Sequence, residues 1–302
     1  MRHLAAILLL FFTAWACNSP QESKAYTIVC TTGMLADAVS VLTEGVDSIE
    51  VKSLMGPGTD PHLYKATQGD VFALSRGDLI VYNGLHLEGK MQNLFHKLPP
   101  ERVYAAAEVL ADSMLINASE FEEAYDPHVW FDLSLWSTIC EKLSQRLQLA
   151  KPEAADIITK NESAYRQALM EAHQTAIKTL SEIPEKQRVL VTAHDAFKYF
   201  GKAYNLEVRG LQGISTTAEF GLRDISDLAR FINERGIKAV FVESSVSPKA
   251  IEAVQEAVQR DGNDLELGGE LYSDALGREG TEAGNFLGMF YENLKTIEEA
   301  LR

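Results

Sequence analysis

The sequence predicts an α/β protein of two lobes, each a four-stranded parallel sheet flanked by helices, with one long rigid helix joining them. Its 302 residues exceed the usual single-domain length of roughly 100–200 residues. Short apolar runs rich in valine, isoleucine and leucine alternate with segments of helical periodicity, as expected for strands covered on both faces. Four such units precede a long helical segment and four follow it, which indicates two open parallel sheets.

Most of the eight predicted strands are continuous apolar runs rather than alternating ones. They cover residues 26–31, 49–54, 79–82, 102–106, 188–192, 206–211, 238–243 and 265–272. Helical patterns lie between them, and the clearest are at residues 33–43, 134–149, 219–235, 248–259 and 282–301.

The segment 152–183 contains no glycine and no internal proline, and its apolar residues follow three- and four-residue spacing, which predicts a helix with one packed face. Pro152 suits a first helical turn, and Pro184 suits an end. A helix of about 30 residues would be roughly 45 Å long. We therefore divide the chain into a signal peptide (1–16), a tether (17–24), an N-terminal lobe (25–150), a connecting helix (151–184) and a C-terminal lobe (185–302).

The chain is acidic, with 28 Lys and Arg against 43 Asp and Glu and a formal net charge of −15. Such a chain, with no basic cluster, is unsuited to nucleic acid, whose phosphates need cationic side chains. Its surface would instead raise the local concentration of cations. The hydrophobic fraction of 46% and the charged fraction of 24% are typical of globular proteins and exclude a disordered or fibrous chain.

The N-terminus has the pattern of an export signal. Arg2 precedes an apolar run at residues 4–12, which is too short for a bilayer span of about 20 residues. Cleavage after the Ala-Trp-Ala triplet at 14–16 would release a soluble protein, whereas a lipobox would leave Cys17 as a lipid-bearing N-terminus. We favour the lipobox, because residues 18–24 resemble a tether. The expected location is the periplasm or the outer face of the cytoplasmic membrane, with anchoring through Cys17.

Two cysteines lie within the body of the protein. Cys30 falls in a predicted strand and Cys140 in a predicted helix. Export places both where a disulfide is permitted, but nothing in the sequence brings them together. We expect two buried free thiols.

Four polar side chains are the candidate metal ligands: His62, His128, His194 and Asp274. Three of them end or follow predicted strands, and His128 lies in a loop that enters a helix. Ligands bind beyond the carboxyl ends of the strands in open parallel sheets. Each lobe supplies two of the four, so we expect them to converge in the cleft. Three imidazoles and one carboxylate suit a divalent first-row metal such as zinc or manganese.

The tripeptide Asp-Pro-His occurs twice, at 60–62 and at 126–128. Proline holds the preceding residue extended, so Asp60 and Asp126 are placed rigidly beside the histidines. Each carboxylate either orients an imidazole or caps the following helix, and the sequence favours neither role.

Other features have a weaker claim to function. His96 and His173 are expected to be exposed helix residues, and His86 lies near the edge of the cleft. Residues 84–90 match the phosphate-binding pattern G-x-x-x-x-G-K. A methionine follows where that pattern needs a hydroxyl, and Glu88 would face the phosphate, so the chemistry argues against a nucleotide site.

Two alternatives to metal transport are considered. An exported zinc hydrolase would use the same His and Asp cluster, with an open position for activated water and Asp195 or Glu219 as a base. An adhesin or scaffold would leave the paired Asp-Pro-His loops unexplained. The tether, the two lobes and a complete set of four ligands favour storage and delivery of the ion over catalysis.

Several motifs spread over the mature chain carry a family resemblance. They are Gly-Thr-Asp-Pro-His at 58–62, Asn-Gly-Leu at 83–85, Leu-Glu-Gly at 87–89, Asp-Pro-His-Val-Trp at 126–130, Ala-His-Asp-Ala-Phe at 193–197, Gln-Gly-Ile-Ser-Thr at 212–216 and Ser-Asp-Ala-Leu-Gly at 273–277. Together they resemble the cluster-9 (TroA-like) solute-binding proteins of ABC importers for zinc, manganese or iron. In that family the near-match to a phosphate loop is a structural turn.

The resemblance implies that His62, His128, His194 and Asp274 match the four ligands of the family. It also implies a membrane permease with its ATPase as partner, a monomeric binding protein and no catalytic turnover. Some manganese-type members have Glu where His194 stands, and zinc-uptake members often have a His-rich loop where residues 117–125 have none. The metal is therefore left open between zinc and manganese, with iron as a further option. Because bound imidazoles must be neutral, we expect affinity to fall below about pH 6.

Overall fold

The structure, a computed structural model, describes residues 25–118, 125–217 and 220–302. The expected signal peptide, the tether and Cys17 lie outside these residues, and so do residues 119–124 and Glu219. Within the described part of the chain, no helix is long and apolar enough to cross a bilayer.

The described residues form an alternating α/β chain of eight strands and nine α-helices. The strands are β1 (Tyr26–Cys30), β2 (Ile49–Ser53), β3 (Leu79–Tyr82), β4 (Val103–Ala105), β5 (Val189–His194), β6 (Glu207–Gln212), β7 (Ala239–Glu243) and β8 (Glu266–Leu271). The helices are α1 (Gly33–Leu42), α2 (Gln68–Arg76), α3 (Gln92–Phe95), α4 (Leu133–Ala150), α5 (Ala155–Ser181), α6 (Lys198–Tyr204), α7 (Leu222–Arg235), α8 (Lys249–Arg260) and α9 (Phe286–Leu301).

The N-terminal half contains one parallel sheet of four strands, in the order β2-β1-β3-β4. Its two central strands alternate between two hydrophobic clusters: Ile28 and Cys30 face one, and Val29 faces the other together with Ile80. Both faces of the sheet are therefore covered, which explains why these strands are apolar throughout.

The C-terminal half also has four parallel strands, but they pair differently from the prediction. β5 bonds to β6 and β7 bonds to β8, as two separate two-stranded ladders, although β5 and β7 lie side by side. At the carboxyl end of β5, the backbone N–H of His194 donates to the Glu243 side chain on β7 at 2.8 Å. A side-chain contact therefore connects the two ladders at this position.

The predicted long helix is present as α5, which a short 3-10 turn at Pro152–Ala154 precedes. Its 27 residues span about 40 Å at 1.5 Å per residue. One face is buried, including Ile158, Leu169 and Leu180. This face packs against α1 and α4 of the N-terminal half and against α6 and α9 of the C-terminal half, so one helix joins the two halves.

Aromatic side chains also join the halves directly. Phe131 stacks on Phe197 with ring centroids 4.3 Å apart, and Trp136 stacks on Phe286 at 5.0 Å. All four belong to one continuous hydrophobic cluster. Because dense aromatic packing resists relative displacement, the geometry between the halves is strongly restrained.

Both cysteines of the body are buried free thiols, as predicted. Cys30 lies on β1 and Cys140 on α4. Burial raises the pKa of each thiol well above its ordinary value, which keeps both in the unreactive protonated form.

Candidate metal centre

The structure brings the four candidate ligands of the sequence analysis together. His62 follows β2, His128 lies in the loop before α4, His194 is the last residue of β5, and Asp274 follows β8. All four are buried, and one potential donor atom from each lies within 4.8 Å of the others. Within the described residues this is the one such group of three or more His, Cys, Asp or Glu side chains.

The distances between donor atoms match those around a single ion. The Nε2 atom of His128 lies 3.3 Å from that of His62 and 3.4 Å from that of His194. The Asp274 oxygens lie 3.4 Å from His128 Nε2, 3.3 Å from His194 Nε2 and 3.9 Å from His62 Nε2. Bonds of about 2.0–2.1 Å to a tetrahedral centre place ligands about 3.3 Å apart, so the four spacings of 3.3–3.4 Å match a tetrahedral zinc site, and the spacing of 3.9 Å between His62 and Asp274 is wider.

Asp274 is the side chain that most clearly lacks a partner. Both of its carboxylate oxygens are buried and accept no hydrogen bond within the described residues. Burial alone would raise the pKa of this carboxyl, but His194 and His128 outweigh it and hold the pKa well below its ordinary value. A buried anion without hydrogen bonds is costly unless a cation compensates it, and both oxygens face the centre of the histidine cluster.

The two Asp-Pro-His segments turn out to play different roles. Oδ1 of Asp126 accepts from the backbone N–H of His128 at 3.0 Å and lies 2.7 Å from its ring Nδ1. Asp126 therefore orients the imidazole and leaves Nε2 directed at the cluster. Oδ1 of Asp60 instead accepts from the backbone N–H groups of His62 and Leu63, so it stabilises the turn that carries His62.

Glu243, at the end of β7, is a candidate site residue that the sequence analysis missed. Its Oε2 atom lies 2.6 Å from Nδ1 of His194, and its Oε1 accepts the His194 backbone N–H. Glu243 therefore places a carboxylate behind the His194 ring, as Asp126 does behind His128, but as a close ion-pair contact and not as a directed ring hydrogen bond. The signal was available, because Glu243 ends a predicted strand at the edge where ligands bind.

The three imidazoles are held in different protonation environments. Burial lowers the pKa of His62 to about 3. Burial also acts on His128, but the carboxylates of Asp126 and Asp274 outweigh it and raise the pKa to about 9. The pKa of His194 is likewise raised well above its ordinary value, because Glu243 and Asp274 outweigh burial.

The other histidines stay apart from this cluster. His96 is exposed, as predicted, and His86 is exposed beside Gln92. The prediction that His173 is exposed is wrong: it is half-buried on α5, with Nδ1 at 3.1 Å from the Tyr204 hydroxyl.

The loop that resembles a phosphate-binding motif is occupied by its own carboxylate. Glu88 is buried and accepts from the backbone N–H groups of Asn83 at 2.7 Å and Gly84 at 3.2 Å, and from the Thr31 hydroxyl at 2.6 Å. In a phosphate-binding loop, such backbone N–H groups would donate hydrogen bonds to the phosphate. The segment is therefore a structural turn, and the exclusion of a nucleotide site agrees with this geometry.

Hydrogen bonds tie the two halves together around the cluster. The indole N–H of Trp130 donates to the backbone oxygen of Ser273 at 3.1 Å, beside Asp274. The Tyr199 hydroxyl donates to the backbone oxygen of Asp126 at 3.1 Å and accepts from the N–H of Ile116 at 2.9 Å. The cluster therefore sits at the junction of the halves, with contributions from both.

Comparison with known proteins gives consistent matches along nearly the whole chain. Residues 28–300 match the family described as ZnuA, "Zinc-uptake complex component A periplasmic". The chain is 44% identical over 304 residues to the manganese-binding lipoprotein MntA of Bacillus subtilis, covering 99% of this chain and 98% of that protein. It is 46% identical over 275 residues to the zinc-binding protein TroA of Treponema pallidum, covering 91% of this chain and 88% of that protein.

Solved structures agree in fold. The periplasmic zinc-binding protein TroA from Treponema pallidum superposes with a TM-score of 0.89 at 45% identity, covering 92% of this chain and 99% of that one. The structure of Fe(III)-bound YtgA from Chlamydia trachomatis superposes with a TM-score of 0.82 at 26% identity, covering 92% and 98%.

Proposed function

Because this chain belongs to the ZnuA family of metal-binding solute-binding proteins, we propose that it captures a divalent metal ion outside the cytoplasm and delivers it to an ABC importer. The observation that carries the proposal is the convergence of three buried imidazoles and one buried carboxylate on one point. The relatives named above are binding proteins, and two are named for manganese and for zinc.

His62, His128, His194 and Asp274 are the proposed ligands of the ion. Each imidazole would bind through Nε2, the atom that the cluster distances join. Neutral rings and one carboxylate would leave a net charge of +1 on a divalent ion, and the carboxylates of Asp126 and Glu243 offset this charge from behind two of the rings.

Zinc and manganese are both proposed as cargo, in different coordination. The donor spacing suits tetrahedral zinc, which takes His and Asp ligands readily. Asp274 presents two oxygens without hydrogen bonds, so it can also bind through both, as an ion preferring more oxygen ligands would require. Iron is a further option, because the solved structure of one similar protein, YtgA, is that of its Fe(III)-bound form.

Nothing in the structure or the comparisons supports the hydrolase alternative. A catalytic zinc site keeps one position open for water, whereas here four protein groups surround the centre and their side chains are between 0% and 3% exposed. Asp195, considered as a base, has its Oδ2 atom 2.6 Å from Nζ of Lys198. Glu219 lies outside the described residues.

The division into lobes at 25–150 and 185–302, joined by residues 151–184, is retained as part of the proposal. It is supported by the first sheet, which β4 completes before α4, and by α5, which packs on both halves. A single helix and an aromatic junction favour a small tilt of the lobes over a wide hinge motion, so delivery would involve a limited opening at the ion site.

The envelope location follows from the same proposal. We expect a monomer anchored by lipid at Cys17, which presents its loaded cleft to the permease of the importer while the ATPase drives transport. Support comes from relatives named as lipoproteins and from the export signal in the sequence. The proposed location is the periplasm or the outer face of the cytoplasmic membrane.

Metal titration of His128→Ala tests the proposal. We expect zinc affinity to fall by at least about 100-fold, since even groups that only orient a ligand contribute about 10–100-fold. His96→Ala, which removes an exposed histidine, is the matched control and should bind like the wild type. Equal zinc affinity of wild type and His128→Ala, in chelator competition, would exclude His128 from the site.

The physiological metal needs a separate measurement. Protein purified without chelators would be analysed for its elements and then titrated with zinc and manganese in competition. If the purified wild-type protein carries none of zinc, manganese and iron and binds none of them in titration, the proposed function is wrong.

A further inference from the structure

The loop that carries His62 leaves the N-terminal half and reaches the other half of the protein. Residues 54–62 follow β2, and Gly58 within them has a φ of +68°. A side chain at Gly58 would lie 3.3 Å from the backbone oxygen of Ser244, just after β7. The backbone of this loop therefore reaches the C-terminal half of the protein.

Asp60 in the same loop uses its two oxygens on two different halves. Oδ1 accepts from the backbone N–H of His62 at 2.8 Å, which fixes the turn. Oδ2 accepts from the hydroxyl of Thr216 at 2.6 Å, a residue 156 positions away that follows β6. Hydrogen bonds to an ionised carboxylate are short and roughly twice as strong as neutral ones, so this contact connects the loop firmly to the C-terminal half.

The other two imidazoles each have a carboxylate at the ring itself. His128 is oriented by Asp126, two residues away, and His194 by Glu243 on the adjacent strand. His62 is instead held through its backbone: its N–H donates to Asp60, and Asp60 also accepts from the hydroxyl of Thr216. Its position therefore depends on the junction remaining closed.

His62 also lies between the cluster and the outside. It lines a partly open cavity of about 430 Å³, together with Leu85, Lys90, Tyr125 and Ile214. None of the other three proposed ligands lines this cavity. Among the described residues, this places His62 on the side from which an ion can arrive and leave.

We propose that Thr216 is a positioning residue that controls how long the ion is retained, by holding the Asp60–His62 turn across the junction. The inference rests on the proposed function and adds a kinetic role for a residue outside the ligand set. Release of the ion requires His62 to swing away, and that movement breaks the bond between Thr216 and Asp60. Loss of the bond speeds release while the four ligands stay in place.

The test measures zinc release from the full-length protein by stopped-flow mixing with an excess of a chromophoric chelator. Thr216→Val removes the hydroxyl at nearly constant shape, and we expect release about 10–100-fold faster, the range for one hydrogen bond to a charged group. Thr216→Ser keeps a hydroxyl and should release zinc within about threefold of the wild-type rate. Thr175→Val is the matched control, because its exposed hydroxyl on α5 bonds within its own helix and does not line the cavity.

A double-mutant cycle assigns the effect to the contact itself. In the Asp60→Ala background, Thr216→Val should add less than about twofold, because its partner is already gone. A Thr216→Val protein that releases zinc at the wild-type rate would overturn the inference, and so would a Thr216→Ser protein as fast as Thr216→Val or full additivity in the cycle. In each case the wild type still binds zinc, so the proposed function would stand; a wild type that binds none of zinc, manganese and iron would instead remove the proposed function.

Discussion

The protonation states of the buried histidines predict how metal affinity depends on pH. Three carboxylates, Asp126, Glu243 and Asp274, contact the rings of His128 and His194. With both rings protonated the group carries a formal charge of −1. A divalent ion with both rings neutral gives the same formal charge. The structure therefore favours the exchange of two protons for one ion.

The size of the effect follows from the two raised pKa values. The pKa of His128 is about 9 and that of His194 is also well above its ordinary value, whereas that of His62 is about 3. Near neutral pH the metal-free protein would thus release about two protons when it binds an ion. His128 alone should make affinity rise about 10-fold per pH unit from about pH 6.5 to 8.5, which amounts to about 2.7 kcal/mol over that window, and protonated His194 should steepen the slope toward about 100-fold per unit. The sequence alone led us to expect the decline only below about pH 6.

Chelator competition with zinc across this pH range measures the slope, and calorimetry in buffers of different ionisation enthalpy counts the protons. Glu243→Gln keeps the shape of the side chain that contacts His194 but removes its charge, so the proton count should fall to about one. A flat affinity above pH 7, with no proton release in the wild type, would refute the reasoning, because both rings would then be neutral before the ion arrives.

Two further predictions concern the metal-free protein. A raised pKa contributes stability that is complete below the unfolded value of about 6.5 and is lost as pH rises through the folded value. The melting temperature of the metal-free protein should therefore fall as the pH rises from about 6.5 to 9, because His128 and His194 lose their protons. It should also fall on acidification, because the pKa of His62 is lowered in the folded protein. A melting temperature that stays constant or rises from pH 6.5 to 9 would contradict this. The buried thiols of Cys30 and Cys140 should not react with a thiol reagent in the native protein, and both should react after denaturation; rapid native labelling of either would show that the core opens readily.

Local patterns in the sequence were sufficient for most of the fold. Each predicted strand appears within two residues of its expected bounds, because an apolar run between helical segments can be buried only as a covered strand. The long helix followed from the absence of glycine and internal proline. In the C-terminal half the four predicted parallel strands are present and β5 lies beside β7, but backbone hydrogen bonds pair only β5 with β6 and β7 with β8, a detail that depends on how the strands meet in space.

The candidate site likewise combines features that the sequence shows with contacts that only the fold creates. The sequence alone determined which four side chains stand at strand ends and helix entrances, since strand position and turn chemistry are local properties of the chain. Only the tertiary structure decided that Asp126 orients a ring while Asp60 reaches Thr216, and that Glu243 sits behind His194. Those contacts join residues up to 156 positions apart, and the protonation of the rings depends on them. Tertiary packing sets the distances from Asp60 to Thr216 and from Glu243 to His194, and no spacing within one segment encodes them.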